Sequence, residues 1–275
     1  MEVSWHLAKY SAQTGKFNVI HPQAIVDPAA RLHESVSVGP WTVIGPDVEL
    51  GEDCVVESHV VLKGPTRIGA RNHIFQFSSI GEDTPDLKYR GEPTTLTVGD
   101  DNIFREGVTV HRGTVQDRGD TAIGDHNLLM AYAHVGHDCV IGDRCILVNN
   151  AVLGGHVNMG DWSIIGGYAG VHQYCNVGAH AYIGGMAKVT QDVPAFMIVE
   201  GHPAIPRMIN VEGLKRRGFS ADDIKALQQA YKVLYRKRLS LADALDQLRE
   251  MAGDCDAINT LISSIESSTR GIVRA

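Results

Sequence analysis

Val135 to Ile183 reads VGHDCV IGDRCI LVNNAV LGGHVN MGDWSI IGGYAG VHQYCN VGAHAY I when broken at every sixth residue. Each block opens on Val, Ile, Leu or Met. The same step runs back through Leu129 to Ile123 and forward to Val189. An earlier run of the same kind passes through Ile20, Val26, Leu32, Val38, Ile44, Leu50, Val56, Leu62, Ile68, Ile74 and Ile80, and resumes at Val98, Phe104 and Val110. No polar residue occurs at these positions, although only 44% of the chain is hydrophobic. An α-helix cannot keep every sixth residue on one face, and a simple strand gives a period of two. A period of six fits a short strand, a corner and another short strand. Repeats of this length build parallel β-helices, in which stacking supplies the core that no single coil can form.

Two further patterns run in register. Glycine often follows the aliphatic residue, as at Gly39, Gly45, Gly51, Gly69, Gly136 and Gly142. The sequence reading assigns these glycines the relaxed backbone limits of tight corners. The fourth residue after the aliphatic one is usually small or β-branched: Thr42, Cys54, Val60, Ala133, Cys139, Cys145, Ala151, Ser163, Cys175. Both positions are expected to point inward. Four of the five cysteines then fill the core. Their odd number, without a framework spacing, points to reduced thiols.

The pattern breaks at residues 82–93 and again at 112–121, where the phase shifts by one. Both segments are expected to project as loops from a rigid scaffold, where binding groups commonly sit. The expected organisation is an N-terminal extension over 1–19, a β-helix with two projecting loops over 20–194, and a connection with a helical domain over 195–275. Pro194, Pro203 and Pro206 mark the connection as irregular. Ser220 with Asp223, and Ser240 with Asp243, look like helix starts. The apolar spacing that follows predicts roughly three amphipathic helices.

A formal charge of −7 argues against nonspecific nucleic-acid binding. No apolar run is long enough to span a membrane, and the first residues lack a signal-peptide core. The expectation is a cytoplasmic protein.

Chemistry concentrates in the histidines. His134 and His137 lie in Ala133-His134-Val135-Gly136-His137-Asp138, followed by His156 after Gly154-Gly155 and by His172 before Gln173. The six-residue period resembles that of the hexapeptide-repeat acyltransferases, whose coils are triangular prisms of three hexads; with coils ~4.8 Å apart, that resemblance implies that these imidazoles climb one region of the prism. A neutral imidazole can take a proton from a hydroxyl near neutral pH. Asp138 could hold the tautomer of His137, and a glycine N–H could serve a developing oxyanion. No serine or cysteine sits in an evident nucleophile motif, so direct transfer is more economical than a covalent intermediate.

Several segments resemble the UDP-N-acetylglucosamine O-acyltransferases of lipid A synthesis, a branch of the hexapeptide-repeat acyltransferases. They are Asp86-Leu87-Lys88-Tyr89, Gly91-Glu92-Pro93-Thr94, His111-Arg112-Gly113-Thr114, Asn127-Leu128-Leu129-Met130, His137-Asp138-Cys139 and Glu212-Gly213-Leu214-Lys215-Arg216-Arg217-Gly218-Phe219. The similarity runs from about Ile20 to Arg270-Gly271. It implies a mainly β fold, a left-handed parallel β-helix with a C-terminal α-helical domain, assembled as a homotrimer with sites between prisms. The implied reaction moves a 3-hydroxyacyl chain from acyl carrier protein to the glucosamine 3-position of UDP-N-acetylglucosamine, without a cofactor or metal. By motif, His137 would be the general base, Asp138 its assistant and Gly155 the oxyanion donor. His134, His156, His172 and Gln173 would line the sugar and acyl region, and Asp86 and Lys88 would bind the sugar side. Asn210, Arg216 and Arg217 would meet the uridine and phosphates, and Gly185 would set acyl length. Basic residues around Arg216 and at Arg236-Lys237-Arg238 could attract the acidic carrier. Within the same fold, a zinc enzyme of γ-carbonic anhydrase type and another nucleotide-sugar N-acyltransferase remain alternatives. A purely structural solenoid would not need the histidines, the Arg pair or the helical tail.

Overall fold

The computed structural model describes residues 19–253 and 255–274. Apart from Val19, the expected extension over 1–19 lies outside them. From Ile20 onward the chain winds as a three-sided coil of short strands, most of them two residues long. The strands form three sheets of nine, eight and ten strands. The first sheet runs from Ile25–Val26 to Lys188–Val189, the second from Arg31–Leu32 to Asn176–Val177, and the third starts at Ser37–Val38. Partners in one sheet lie one coil apart: Val26 pairs with Ile44, Val135 with Leu153 and Leu147 with Ile165, all parallel. The hexapeptide reading of the fold class is therefore correct.

Within each two-residue strand the second side chain points in. Val38, Ile44, Val56, Leu62, Ile74, Leu129, Val135, Leu147 and Leu153 are almost fully buried. The fourth-position residues meet them at the corners, and Cys54, Cys139, Cys145 and Cys175 are buried free thiols. At one corner the fourth position is asparagine instead. Asn72 Oδ1 accepts from the Asn102 N–H at 3.0 Å, Asn102 Oδ1 from Asn127 N–H at 2.8 Å, and Asn127 Oδ1 from Cys145 N–H at 2.7 Å. These amides satisfy buried backbone donors that small apolar residues would leave orphaned.

The glycines do something other than expected. The left-handed backbone position falls three residues after the aliphatic one and holds non-glycine residues: Asp53, His59, Asp138, His156, Tyr168 and His180 have φ between 53° and 63°. Of the glycines directly after the aliphatic residue, only Gly81 has positive φ. The others are needed for space. A Cβ on Gly51 would sit 2.7 Å from the carbonyl carbon of Gly69, and one on Gly136 would sit 2.8 Å from the Gly155 nitrogen. Neighbouring coils approach backbone to backbone at these corners.

Both interruptions leave the prism at the same corner, between the first and second sheets. Residues 83–94 connect Ser79–Glu82 to Thr95–Val98, and residues 112–119 connect Thr109–His111 to Asp120–Ile123. Ile80 pairs with Val110 and Val98 with Ile123, and the register shifts by one only at the mouth of the loops, where Glu82 pairs with His111.

The region after Pro194 is more ordered than a loop. Met197–Glu200 pairs parallel with Tyr182–Ile183 and then antiparallel with Ile205–Ile209, so the third sheet ends in a hairpin. Pro206 sits beside the register shift, where an edge strand tolerates a missing donor. Four helices follow: α1 (Val211–Arg216), α2 (Ala221–Tyr235), α3 (Leu241–Ala252) and α4 (Asp256–Glu266). The three longer ones are those expected, and Ser220 and Ser240 cap α2 and α3 as read. The short α1 was not anticipated. The helices are tied to the last coil by Asp192, which accepts from the Asn176 N–H (2.7 Å) and the Ser268 hydroxyl (2.6 Å). No described helix is long and apolar enough to cross a membrane.

Gly51→Ala should lower unfolding free energy by about 1–3 kcal/mol through overpacking. Gly45→Ala, whose added methyl meets only ordinary contact at 3.4 Å, should cost well under that. Denaturant unfolding of the two variants measures the difference.

Candidate active site

The corner between the first and second sheets carries the reactive groups. His137 and Asp138 follow the strand His134–Val135, Gly155 and His156 follow Val152–Leu153, and His172 and Gln173 follow Gly170–Val171. The expected histidine column therefore exists as successive turns of one edge. The rings occupy different places in the turn, so they converge unequally.

Asp138 is 1% exposed. Its carboxylate accepts from the Thr114 N–H at 3.0 Å and the Thr114 hydroxyl at 2.7 Å, and it faces His137 Nδ1 at 2.8 Å. Burial alone would raise this carboxyl. The hydrogen bonds from His137 and from the Thr114 side chain and backbone outweigh it and hold the pKa below the usual carboxylate range. An ionised Asp138 only accepts, so the proton on His137 lies on Nδ1, and the Nε2 lone pair meets no hydrogen-bond donor among the described residues. That Nε2 faces Gly155, because a Cβ there would lie 2.6 Å from both Cε1 and Nε2 of His137.

The N–H two residues after the aliphatic position behaves differently at two corners. Between the second and third sheets it is accepted by an aspartate of the next coil: Asp100 N–H by Asp125, Asp125 N–H by Asp143, and Asp143 N–H by Asp161, at 2.7–2.9 Å. At the histidine corner that place is held by His137, Gly155 and Gln173, with no aspartate file. The Gly155 N–H thus lies beside the free imidazole nitrogen with no such carboxylate covering it.

His156 lies edge-on to His137, ring centroids 4.8 Å apart at 89°, and stacks on Tyr174 at 4.1 Å. Its Nδ1 meets Asp117 Oδ2 at 2.6 Å. His134 Nδ1 bonds Thr109 Oγ1 at 2.8 Å, and its ring meets His111 at 5.2 Å. Burial, then the neighbouring His134, push His111 down to about 4. Its buried Nδ1 has no partner among the described residues. Burial, then His137, also lower His134. Both stay neutral near pH 7. His172 and Gln173 are exposed one coil further along. Burial raises the Cys139 thiol to about 12 and the thiol donates to Gly154 O, so it is no nucleophile.

The loop 83–94 is fastened over this corner by buried Arg112. Its guanidinium donates to Gly81 O, the Asp83 carboxylate and the Tyr89 hydroxyl. Asp86 accepts from the Lys88 N–H within this loop, and the Lys88 side chain is exposed.

Four other expected site residues lie at the two other corners. Asn210 caps α1, accepting from Gly213 N–H and donating to His180 O at 3.0 Å. Arg217 donates to His180 Nδ1 at 3.0 Å and lies 5.1 Å over Trp162; burial brings its pKa down to about 10. Arg216 is exposed. These belong to the corner between the second and third sheets. Gly185 lies at the corner between the third and first, where an added Cβ would meet only Gly167 O at 3.4 Å. One chain does not bring the three groups together.

His137, Asp138 and His156 place ligand atoms within 4.8 Å of one another. Their donors are already committed, however: both Nδ1 atoms face carboxylates, and Asp138 accepts twice from Thr114. The cluster has the form of hydrogen-bonded acid–base pairs. Thr114, Asp117, His111, Arg112 and Tyr174 join the site without being among the residues expected from sequence. Thr114, His111 and Arg112 stand in a segment that carries the family resemblance, Asp117 stands in the projecting loop 112–121, and Tyr174 carries no local signal.

A family described as UDP N-acetylglucosamine O-acyltransferase, domain 2, matches residues 192–273, and bacterial transferase hexapeptide repeats match 29–64 and 120–155. The acyl-[acyl-carrier-protein]--UDP-N-acetylglucosamine O-acyltransferase of Saccharophagus degradans is 65% identical over 93% of this chain and 99% of its own. The chain belongs to the UDP-N-acetylglucosamine O-acyltransferase family. A Stutzerimonas stutzeri enzyme of the same name is 60% identical over 94% of this chain and all of its own length. Among solved structures of the family, Acinetobacter baumannii LpxA superposes with a TM-score of 0.91 at 46% identity, covering 93% of this chain and 99% of that one. The Francisella novicida UDP-N-acetylglucosamine acyltransferase gives 0.92 at 42% identity, covering 94% of each chain.

Gly155→Ala should leave the fold intact but drive a methyl against His137. A displacement of that order costs about 100-fold in rate. Steady-state kinetics on the folded variant measure it.

Proposed function

We propose that this chain catalyses the first step of lipid A biosynthesis, moving a 3-hydroxyacyl chain from acyl carrier protein to the 3-hydroxyl of UDP-N-acetylglucosamine. The observation that carries this reading is the free face of His137, braced by buried Asp138 and set against the Gly155 backbone. His137 Nε2 takes the hydroxyl proton as the sugar oxygen attacks the thioester carbonyl. The tetrahedral oxyanion is met by the Gly155 N–H. Collapse breaks the C–S bond, and the imidazolium returns its proton to the carrier's thiolate. Asp138 offsets the positive charge on His137 throughout. No metal or cofactor enters any step.

His134, His156, His172 and Gln173 line the sugar and acyl region, and Asp86 and Lys88 close over the sugar. Asn210, Arg216 and Arg217 serve uridine and phosphates, for which guanidinium forks are suited. Because these groups stand at different corners of one prism, the complete site forms between subunits of a homotrimer. A file of exposed side chains supports this: Trp41, Phe77, Tyr132, Tyr168 and Met186 run along the corner that holds Gly185. Exposed apolar side chains in such a row suit a subunit contact. Exposed Arg216, Arg236, Lys237 and Arg238 attract the acidic carrier. The reaction is placed in the cytoplasm, where the free thiols stay reduced.

A mass-spectrometric assay with UDP-N-acetylglucosamine and a panel of acyl carriers tests the reading. His137→Ala should lose about 100- to 10,000-fold in kcat, and a chelator should leave the wild type unaffected. Unimpaired turnover by His137→Ala would overturn the base assignment. Refolding that variant together with the inactive Arg216→Ala/Arg217→Ala double variant should recover activity in mixed trimers; no recovery removes the shared site.

With the same carriers, Gly185→Met should shift preference toward shorter chains, because the space open at this glycine is taken as the end of the acyl groove. An unchanged preference would show that acyl length is set elsewhere.

A further inference from the structure

The insertion 112–119 interrupts the hexapeptide phase and then reaches back to both imidazoles at the centre of the site. Thr114 holds Asp138, the partner of His137. Three residues on, Asp117 holds His156, 39 positions away in sequence, through a 2.6 Å contact to Nδ1. His156 is enclosed on its other sides. Tyr174 stacks on one face at an interplanar angle of 6°, and His137 meets it at 89°. The buried Asp138 carboxylate stands 3.9 Å from the same Nδ1, too far for a hydrogen bond.

We infer that Asp117 is the positioning residue of His156, fixing the proton on Nδ1 and presenting Nε2 to the substrate cleft. The stacking on Tyr174 sets the plane of the ring but not its rotation within that plane. The two ring nitrogens are chemically distinct, and the hydrogen bond made by one decides which proton state the other offers. Asp117 supplies that bond. The site thus holds two carboxylate–imidazole pairs at right angles. The His137 pair has its buried carboxylate on the adjacent residue. The His156 pair has a half-exposed carboxylate on a loop, with the Asp117 side chain 41% exposed. Because Asp117 contributes little to the core, its removal should alter the site without unfolding the prism.

This inference rests on the acyltransferase reading of the same cleft. Asp117→Ala and Asp117→Asn are compared with wild type in the acyl-transfer assay, alongside melting temperature and long-range proton–nitrogen NMR of His156. Asparagine can still accept from Nδ1–H but carries no charge; alanine can do neither. Asp117→Ala should lose the Nδ1–H tautomer and about tenfold or more in kcat/KM for the sugar nucleotide, the scale of lost outer-shell support of a histidine, at unchanged melting temperature. Asp117→Asn should restore the tautomer and most of the rate. The proposal is overturned if His156 keeps the same tautomer in Asp117→Ala, if kcat/KM stays within about twofold of wild type, or if any loss tracks a fall in melting temperature. His137→Ala separates the two levels. If it too turns over normally, the acyltransferase reading has failed. If it is inactive while Asp117→Ala is not, only the role of Asp117 falls.

Discussion

The parallel hydrogen bonds between coils constrain everything else in this molecule. Each two-residue strand is too short to persist alone, and it holds its place because the coil below and the coil above bond to it at matching positions. Matching positions recur only if every coil closes on the same path. Glycine is required where backbones cross at the corners, and aliphatic side chains are required where the three inner faces meet. The site inherits this rigidity. His137, Gly155 and Gln173 occupy equivalent places on consecutive turns, so their spacing is set by coil stacking rather than by loop packing.

On that rigid edge the chemistry follows from what the edge omits. At the neighbouring corner a run of aspartates accepts the projecting N–H of the previous coil. Where His137, Gly155 and Gln173 stand instead of aspartates, no carboxylate of the next coil covers the Gly155 N–H. The same exchange brings His137 alongside, with Asp138 buried behind it. A carboxylate-braced imidazole and an uncovered backbone N–H therefore arise from one local change in the repeat, while the neighbouring thiol of Cys139 is buried in the core.

Much of this was legible in the sequence because a six-residue period is self-checking: every added coil tests it again. The inward phase of Val135 and Cys139, the helix starts at Ser220 and Ser240, and the pairing of His137 with Asp138 all follow from local order. Glycine was misread, since sequence alone cannot separate a residue chosen for its torsion angle from one chosen because another backbone lies 2.7 Å from its missing Cβ. The hairpin after Pro194 was hidden by prolines that an edge strand accommodates, and α1 was too short to show a period. Asp117 stood in a loop marked for binding groups, but its partner His156 is on another coil and could not be read from local order. Asn210 and Arg217 were visible as a motif, yet their attachment to His180 and Trp162 at a different edge from His137 depends on how the helical region folds back.

The two excursions from the prism leave one strand and return to the next, and the ladder beneath them shifts only at their mouth, between Ile80 and Glu82. Chain added there is absorbed outside the coil, and the register of Ile80 with Val110 and of Val98 with Ile123 does not record it. The floor of the cleft is thus bound to the repeat and can change little, and 112–119 is tied to it through Thr114 and Asp117, whereas the outer part of 83–94 is freer to grow, shrink or exchange residues. A lineage could retune which sugar the enzyme admits by editing the outer part of 83–94 while the histidine corner below stayed untouched.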